Sequence, residues 1–186
     1  KGVYSVIGNG LQGLKEPNEA LYFGNSGTSI RLCAGLLSSQ HFSSSLTGDK
    51  SLSSRPMQRV VDPLNAMGAD ITASEEGTLP ISISPVKSLH AIEYSLPVAS
   101  AQVKSCLMLA GLFAEGETKI TEKTVTRDHT ERMFIEFGLP VAIESSGQSR
   151  TICINKATRI PPKDVKVPGD FSSASFFILA ALICPD

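Results

Sequence analysis

The chain has 186 residues, 41% apolar and 19% charged, which is enough apolar content to bury a core and too much for a disordered segment. Its 17 lysines and arginines face 18 aspartates and glutamates, a formal charge of −1, which excludes a general nucleic-acid binder with its basic excess. No signal-peptide pattern opens the chain, and no apolar run reaches the roughly 20 residues that a membrane-spanning helix needs.

In chain order, "KGVYSVIGNGLQGL" from Lys1 reads as strand-like. "GNSGTSIRLCAGLL" follows, small polar residues running directly into an apolar helix, with Ser26 and Thr28 as candidate N-caps. A helix start of this kind exposes backbone N–H groups, which cap internally or seat an anion. "RPMQRVVDPLNAMGADI" carries Met57, Val60, Val61, Leu64 and Met67 on a helical stripe, with Pro56 in its first turn and Gly68 at its stop. Pro63 is placed to bend that helix. "ADITA" and "PISIS" then read as strands, as does "IEYSL" from Ile92.

The same plan returns about 70–76 residues later. "SAQVKSCLMLAGLFA" repeats the first helix with Ser100 as its cap, and "HTERMFIEFGLPVAI" repeats the second with Gly138 in the place of Gly68 and His129 as a polar helix-start residue. "PVAIE" and "TICIN" supply the paired strands. A third start follows in "VKVP", a strand from Val165, and "DFSSASFFILAALI", a helix capped by Asp170. The reading is two nearly complete βαβαββ units, flanked by the tail of one unit and the head of another. Both ends read as cut, so a fragment of a longer protein is expected. Cys33, Cys106, Cys153 and Cys184, like His41, His90 and His129, are too scattered for a disulfide framework or a metal site, and a cytoplasmic protein with reduced thiols is expected. Met57, Met67, Met108 and Met133 are expected in the core.

Cations accompany the helix-start loops: Arg31 in the first, Lys50, Arg55 and Arg59 in "TGDKSLSSRPMQR", Lys104 in "ASAQVK", and Arg127 and Arg132 in "TVTRDHTER". Gathered at one rim, amides, hydroxyls and guanidinium groups without a nucleophile–base pair suit the holding of oxyanions.

"GNSGTSIRL", "LTGDKSLSSRPMQRVVDPLNAMGA", "ASAQVKSCLMLAGL", "TVTRDHTERM" and "VPGDFSSASFFILAA" together resemble the 5-enolpyruvylshikimate 3-phosphate synthases, in family order and over essentially the whole chain. The resemblance implies an α/β (α+β) fold, a lobe of repeated βαβαββ units forming an inside-out barrel with helices inside and sheets outside. Residues 1–168 would be most of one substrate-binding lobe, and 169–186 a crossover with the first helix of the other lobe. It implies transfer of the enolpyruvyl group of phosphoenolpyruvate to the 5-hydroxyl of shikimate 3-phosphate with release of phosphate, in a monomer needing no cofactor and no metal. The inferred route protonates the phosphoenolpyruvate methylene, after which the hydroxyl adds to the cationic carbon. Asn25, Gly27, Arg55 and Gln102 fall where phosphoenolpyruvate is held. Ser100, Ala101, Gln102, Thr126 and Arg127 fall where shikimate 3-phosphate is held. The family's acid–base groups belong to parts outside these 186 residues, so binding without turnover is expected of this stretch alone. Leu32 and Ala101 depart from the proline and serine of many relatives, and His129 from the tyrosine of some, "TRDHTERM" resembling another branch of the same family. Three alternatives carry less. A UDP-N-acetylglucosamine enolpyruvyl transferase uses a loop cysteine that "TGDKSLSSRP" lacks. An RNA 3′-phosphate cyclase needs a histidine signature absent here. A non-catalytic domain binding some other phosphorylated metabolite would use the same loops.

Overall fold

The computed structural model describes residues 2–184, at Ser172 the backbone alone. The first unit comprises β1 (Leu21–Tyr22), α1 (Gly27–Leu37), β2 (Ser44–Thr47), the short α2 (Lys50–Ser53), α3 (Gln58–Ala66), β3 (Asp70–Thr72) and β4 (Ile81–Ser84). The second comprises β5 (Glu93–Ser95), α4 (Ala101–Gly111), β6 (Thr118–Glu122), α5 (His129–Glu136), β7 (Val141–Ser146) and β8 (Ser149–Ile154). The final helix is α6 (Phe171–Ile183). Both units are βαβαββ, and their sheets share one topology, β1-β2-β4-β3 and β5-β6-β8-β7, in which the first pair is parallel and the others antiparallel.

Period-2 alternation fixes each sheet's inner face. Ile81 and Ile83 of β4 are buried while Ser82 is exposed, and Ile83 pairs with Ile71 of β3. In β6 the inward residues are Thr118, Ile120 and Glu122. The helices fill the inside. α4 is buried without a break from Val103 to Met108, as a helix enclosed on every side must be. α1 packs against it so closely that a Cβ on Gly35 would lie 2.2 Å from the Cys106 carbonyl oxygen, an approach open to glycine alone. Gly68 and Gly138, at φ +87° and +63°, both occupy the left-handed region just after α3 and α5, as the helix-stop reading requires.

Several expectations need correction. Residues 2–20 form no strand, and Val3, Tyr4, Val6 and Ile7 are exposed; a strand needs a partner, and β1 pairs with β2 alone. The stretch from Val165 to Pro168 is likewise not a strand. Pro56 precedes α3 instead of opening it: Met57 is the N-cap, and its amide, which no helix carbonyl could accept, donates to the Gly77 carbonyl at 2.8 Å. Ser26, not Thr28, caps α1; Thr28 lies within its first turn. Met57, Met67 and Met108 are fully buried, but Met133 is exposed, since α5 turns Glu131 and Phe134 inward. Cys106 and Cys153 are buried, Cys33 half-buried and Cys184 exposed, all as free thiols. The large apolar side chains of α6, among them Phe171, Phe176, Phe177 and Leu182, are exposed.

Candidate functional site

Neighbouring parallel strands end at the same sheet edge, so the loops leaving β1 and β2 must lie side by side, as must those leaving β5 and β6. The first pair is tied by main-chain bonds, Phe23 N–H to the Thr47 carbonyl at 2.9 Å and Asp49 N–H to the Gly24 carbonyl at 2.8 Å. Asp49 caps α2 by accepting the Leu52 amide at 2.7 Å and takes the Asn25 side-chain amide at 2.8 and 3.1 Å on its two oxygens. Those donors, the Leu52 amide foremost, hold its carboxyl below the usual carboxylate range. With its NH₂ committed to Asp49, Asn25 presents its Oδ1 to Arg55, which donates to it from Nη2. A chain of three side chains thereby fixes the Arg55 guanidinium over the start of α1.

Gly27, the first residue of α1, sits between two guanidinium groups: a Cβ there would lie 2.9 Å from Nη1 of both Arg31 and Arg55. Arg31 is 4% exposed and donates to the carbonyls of Gly27 at 3.0 Å and Pro56 at 2.9 Å and to Gln102 Oε1 at 2.9 Å, while its Nε is buried without a partner among the described residues. Burial, then Arg59, then Arg55, pull its pKa below the ordinary arginine value. Two guanidinium groups, Arg31 and Arg55, therefore flank Gly27, and an anion between them would relieve their repulsion. The amides of α1 contribute less than their position implied. Gly27 N–H is taken by the Asn25 carbonyl at 3.1 Å and Ser29 N–H by the Ser26 hydroxyl at 3.2 Å, so guanidinium groups supply most of the positive character.

The second loop pair surrounds a cavity of about 360 Å³ lined by Ala99, Ser100, Ala101, Gln102, Thr126 and Arg127. Ser100 caps α4, accepting the Val103 amide at 3.3 Å, which leaves its own hydroxyl proton for a ligand. Thr126 differs. Its amide donates to Glu122 Oε1 at 3.0 Å and its hydroxyl donates to the same oxygen, so toward the cavity the hydroxyl offers lone pairs. Ala101 adds no hydroxyl, and Arg127 is the one cation among the lining residues.

Gln102 joins the two places. Its Oε1 accepts from Arg31, its Nε2 donates to Thr28 Oγ1 at 2.9 Å, and it lines the cavity beside Ser100. Asn25, Gly27, Arg55 and Gln102 are thus brought together, and Ser100, Ala101, Gln102, Thr126 and Arg127 face one cavity. Lys104 is not a rim cation. Its ammonium is fully buried beneath α4, 3.0 Å from Glu122 Oε2 and 2.6 Å from Glu131 Oε1. Arg132 is paired with Asp128 at 3.0 Å. Thr28, Asp49 and Glu122 were absent from the expected site set, and Arg31 stood in it only as a loop cation without an assigned contact. The inward parity of Thr118, Ile120 and Glu122 is the signal in the chain that marks Glu122 as a buried carboxylate.

A sequence profile for EPSP synthase (3-phosphoshikimate 1-carboxyvinyltransferase) matches residues 1–186. The chain belongs to the EPSP synthase family. A 3-phosphoshikimate 1-carboxyvinyltransferase of Alkalilimnicola ehrlichii is 52% identical over 183 residues, covering 98% of this chain and 40% of that protein. One from Methylococcus capsulatus is 51% identical over 185 residues, covering all of this chain and 41% of its relative. Among solved structures, EPSP synthase from Acinetobacter baumannii superposes with a TM-score of 0.82 at 50% identity, over 92% of this chain and 38% of that one. The chain thus spans about 40% of the length of the EPSP synthases it matches. That likeness extends to the inside-out α/β lobe expected of the EPSP synthase family, with its two sheets and enclosed helices. Among the described residues no helix is long and apolar enough to cross a membrane.

Proposed function

We propose that this chain supplies part of the substrate-binding surface of an enzyme that transfers the enolpyruvyl group of phosphoenolpyruvate to the 5-hydroxyl of shikimate 3-phosphate. In the net reaction a C–O bond forms to the hydroxyl oxygen, the bond to the phosphate oxygen breaks, and phosphate leaves. The observation that carries this reading is Gln102, which hydrogen-bonds within the arginine cluster and also lines the Ser100–Arg127 cavity, so two anion seats share one wall. A two-substrate transferase needs such a shared wall, because reacting atoms must be brought to within about 3–3.5 Å.

In this reading Asn25, Gly27, Arg55 and Gln102 hold phosphoenolpyruvate. Arg55 is aimed by Asn25 and Asp49 and pairs with a carboxylate or phosphate oxygen, and Gly27 keeps the approach open between two guanidinium groups. Ser100, Ala101, Gln102, Thr126 and Arg127 hold shikimate 3-phosphate, with the Ser100 hydroxyl and Arg127 meeting its phosphate. No catalytic acid or base is assigned within the chain. Residues 1–168 form the substrate-binding lobe; 169–186 form the crossover and first helix of a second lobe, which covers the exposed apolar side chains of α6 and brings the acid–base groups. The protein acts in the cytoplasm as a monomer.

Phosphate release assayed with both substrates tests the reading. The complete protein turns over; the 186-residue chain alone binds shikimate 3-phosphate in calorimetry, does not bind UDP-N-acetylglucosamine, and releases no phosphate. Preference for the nucleotide sugar would overturn the assignment.

A further inference from the structure

Lys104, Glu122 and Glu131 form an ion triad at most 1% exposed, none of whose members lines the cavity. Burying one ammonium with two carboxylates is costly, and such a group contributes little net stability over an apolar substitute, so its retention asks for a reason. The geometry supplies one. Glu122 ends β6, and the loop that follows carries Thr126 and Arg127 into the cavity wall. Its Oε2 is anchored by Lys104 at 3.0 Å, while its Oε1 takes both donors of Thr126, the amide at 3.0 Å and the hydroxyl. Lys104 stands on α4 one turn after Ser100, the residue on the opposite side of that cavity. One carboxylate therefore clamps the 123–128 loop to the helix whose N-terminus faces it. Glu131 shares the ammonium but makes no side-chain hydrogen bond to that loop among the described residues, and its Oε2 is buried there without a partner.

We propose that Glu122, anchored by Lys104, is a positioning residue for the phosphorylated acceptor: it fixes Thr126, and through it the direction of Arg127, against the start of α4. Glu131 serves as counter-charge and takes no part in the positioning. This inference rests on the reading of the cavity as the shikimate 3-phosphate seat. It also assigns Thr126 a different part from Ser100. With both donors committed to Glu122, Thr126 shapes the wall, and the donors to the phosphate are Ser100 and Arg127.

The test compares two substitutions in the complete protein, Glu122→Gln and Glu131→Gln. Each removes one buried carboxylate from the triad and leaves one lysine facing one glutamate, so a merely structural role moves both variants alike. Positioning moves one. For Glu122→Gln the KM for shikimate 3-phosphate rises about tenfold, the loss expected when hydrogen bonds to a charged group are weakened, while kcat and the KM for phosphoenolpyruvate stay within about twofold. Glu131→Gln leaves all three constants within about twofold of the unaltered protein. Equal effects, or none in either, overturn the inference. Should Glu122→Gln fail to fold, amide exchange on the unaltered protein decides. The Thr126 N–H then exchanges far more slowly than its neighbours in the 123–128 loop, and exchange as fast as theirs refutes the clamp. Failure of the underlying reading looks different: the unaltered protein then has no affinity for shikimate 3-phosphate at all.

Discussion

Gly27→Ala separates fold from function more sharply than any other single change in this chain. The added Cβ would stand 2.9 Å from Nη1 of Arg31 and of Arg55, whereas ordinary contact begins near 3.4 Å, so each guanidinium must retreat by about 0.5 Å. Both obstacles are ends of long side chains, so the backbone need not move. Gly27 has no left-handed torsion to lose and opens a helix, where alanine is favoured by up to about 1 kcal/mol. Alanine's helical preference and the displacement of the buried, hydrogen-bonded Arg31 Nη1 act in opposite directions, so folding stability changes by less than about 1 kcal/mol. Binding weakens. Arg55 held off its place over α1 loses about half of a charge-assisted pair of about 1.5–3 kcal/mol, which corresponds to a rise of about three- to tenfold in KM for phosphoenolpyruvate. Denaturant unfolding of the variant and steady-state kinetics of the complete protein read the two effects separately. An unchanged KM for phosphoenolpyruvate would refute the role given to Gly27 beside the ligand-holding Arg55. A loss of stability above about 1 kcal/mol would refute the claim that only side-chain ends are displaced.

Gly35→Ala has the opposite signature. Its Cβ would meet a backbone oxygen at 2.2 Å, so α1 and α4 must separate, and unfolding free energy falls by about 3 kcal/mol or more in a urea titration. Burial pushes the Cys106 thiol up to about 12, so at pH 8 it stays protonated and resists alkylation in the native 186-residue chain. Exposed Cys184 labels readily there and is protected in the complete protein if a second lobe covers α6, as mass spectrometry of the alkylated peptides will show. Because the folded-state pKa of Asp49 is depressed, the stability it contributes is present above the unfolded value of about 3.9 and is lost as pH falls through the folded value. Below about pH 4 the stability of Asp49→Asn accordingly falls less steeply than that of the unaltered protein, and an NMR titration placing Asp49 above about 3.9 would contradict this.

Much of the architecture was legible because its signals are local. Small residues before an apolar helix, and Gly68 and Gly138 after amphipathic ones, recur at matching positions, and each marks a real boundary. What failed were features decided by partners distant in sequence. The strand-like stretch up to Leu14 finds no strand to pair with among the described residues. The start of α3 falls one residue after Met57, whose amide is taken by Gly77, twenty residues on. Met133 sits in an apolar-looking stripe, yet α5 buries Glu131 on its inner face because Lys104 waits there. The site followed the same division. Asn25, Arg55, Ser100 and Arg127 lie in loops with a visible composition, and parallel strand pairing suffices to bring each pair of loops together. Lys104 looked like one more rim cation because nothing local distinguishes a lysine turned toward a ligand from one turned toward buried carboxylates. Arg31 was visible as a charge, but its place at the centre of the cluster depends on Gln102 and Pro56.

The measurement that bears most directly on the central claim is a structure of the complete protein with phosphoenolpyruvate and shikimate 3-phosphate bound. The account predicts the ester phosphate between the Ser100 hydroxyl and Arg127, the enolpyruvyl donor against Arg55 beside Gly27, and the Gln102 side chain between the two ligands. Either metabolite seated away from these loops, or Gln102 turned from both, would contradict it.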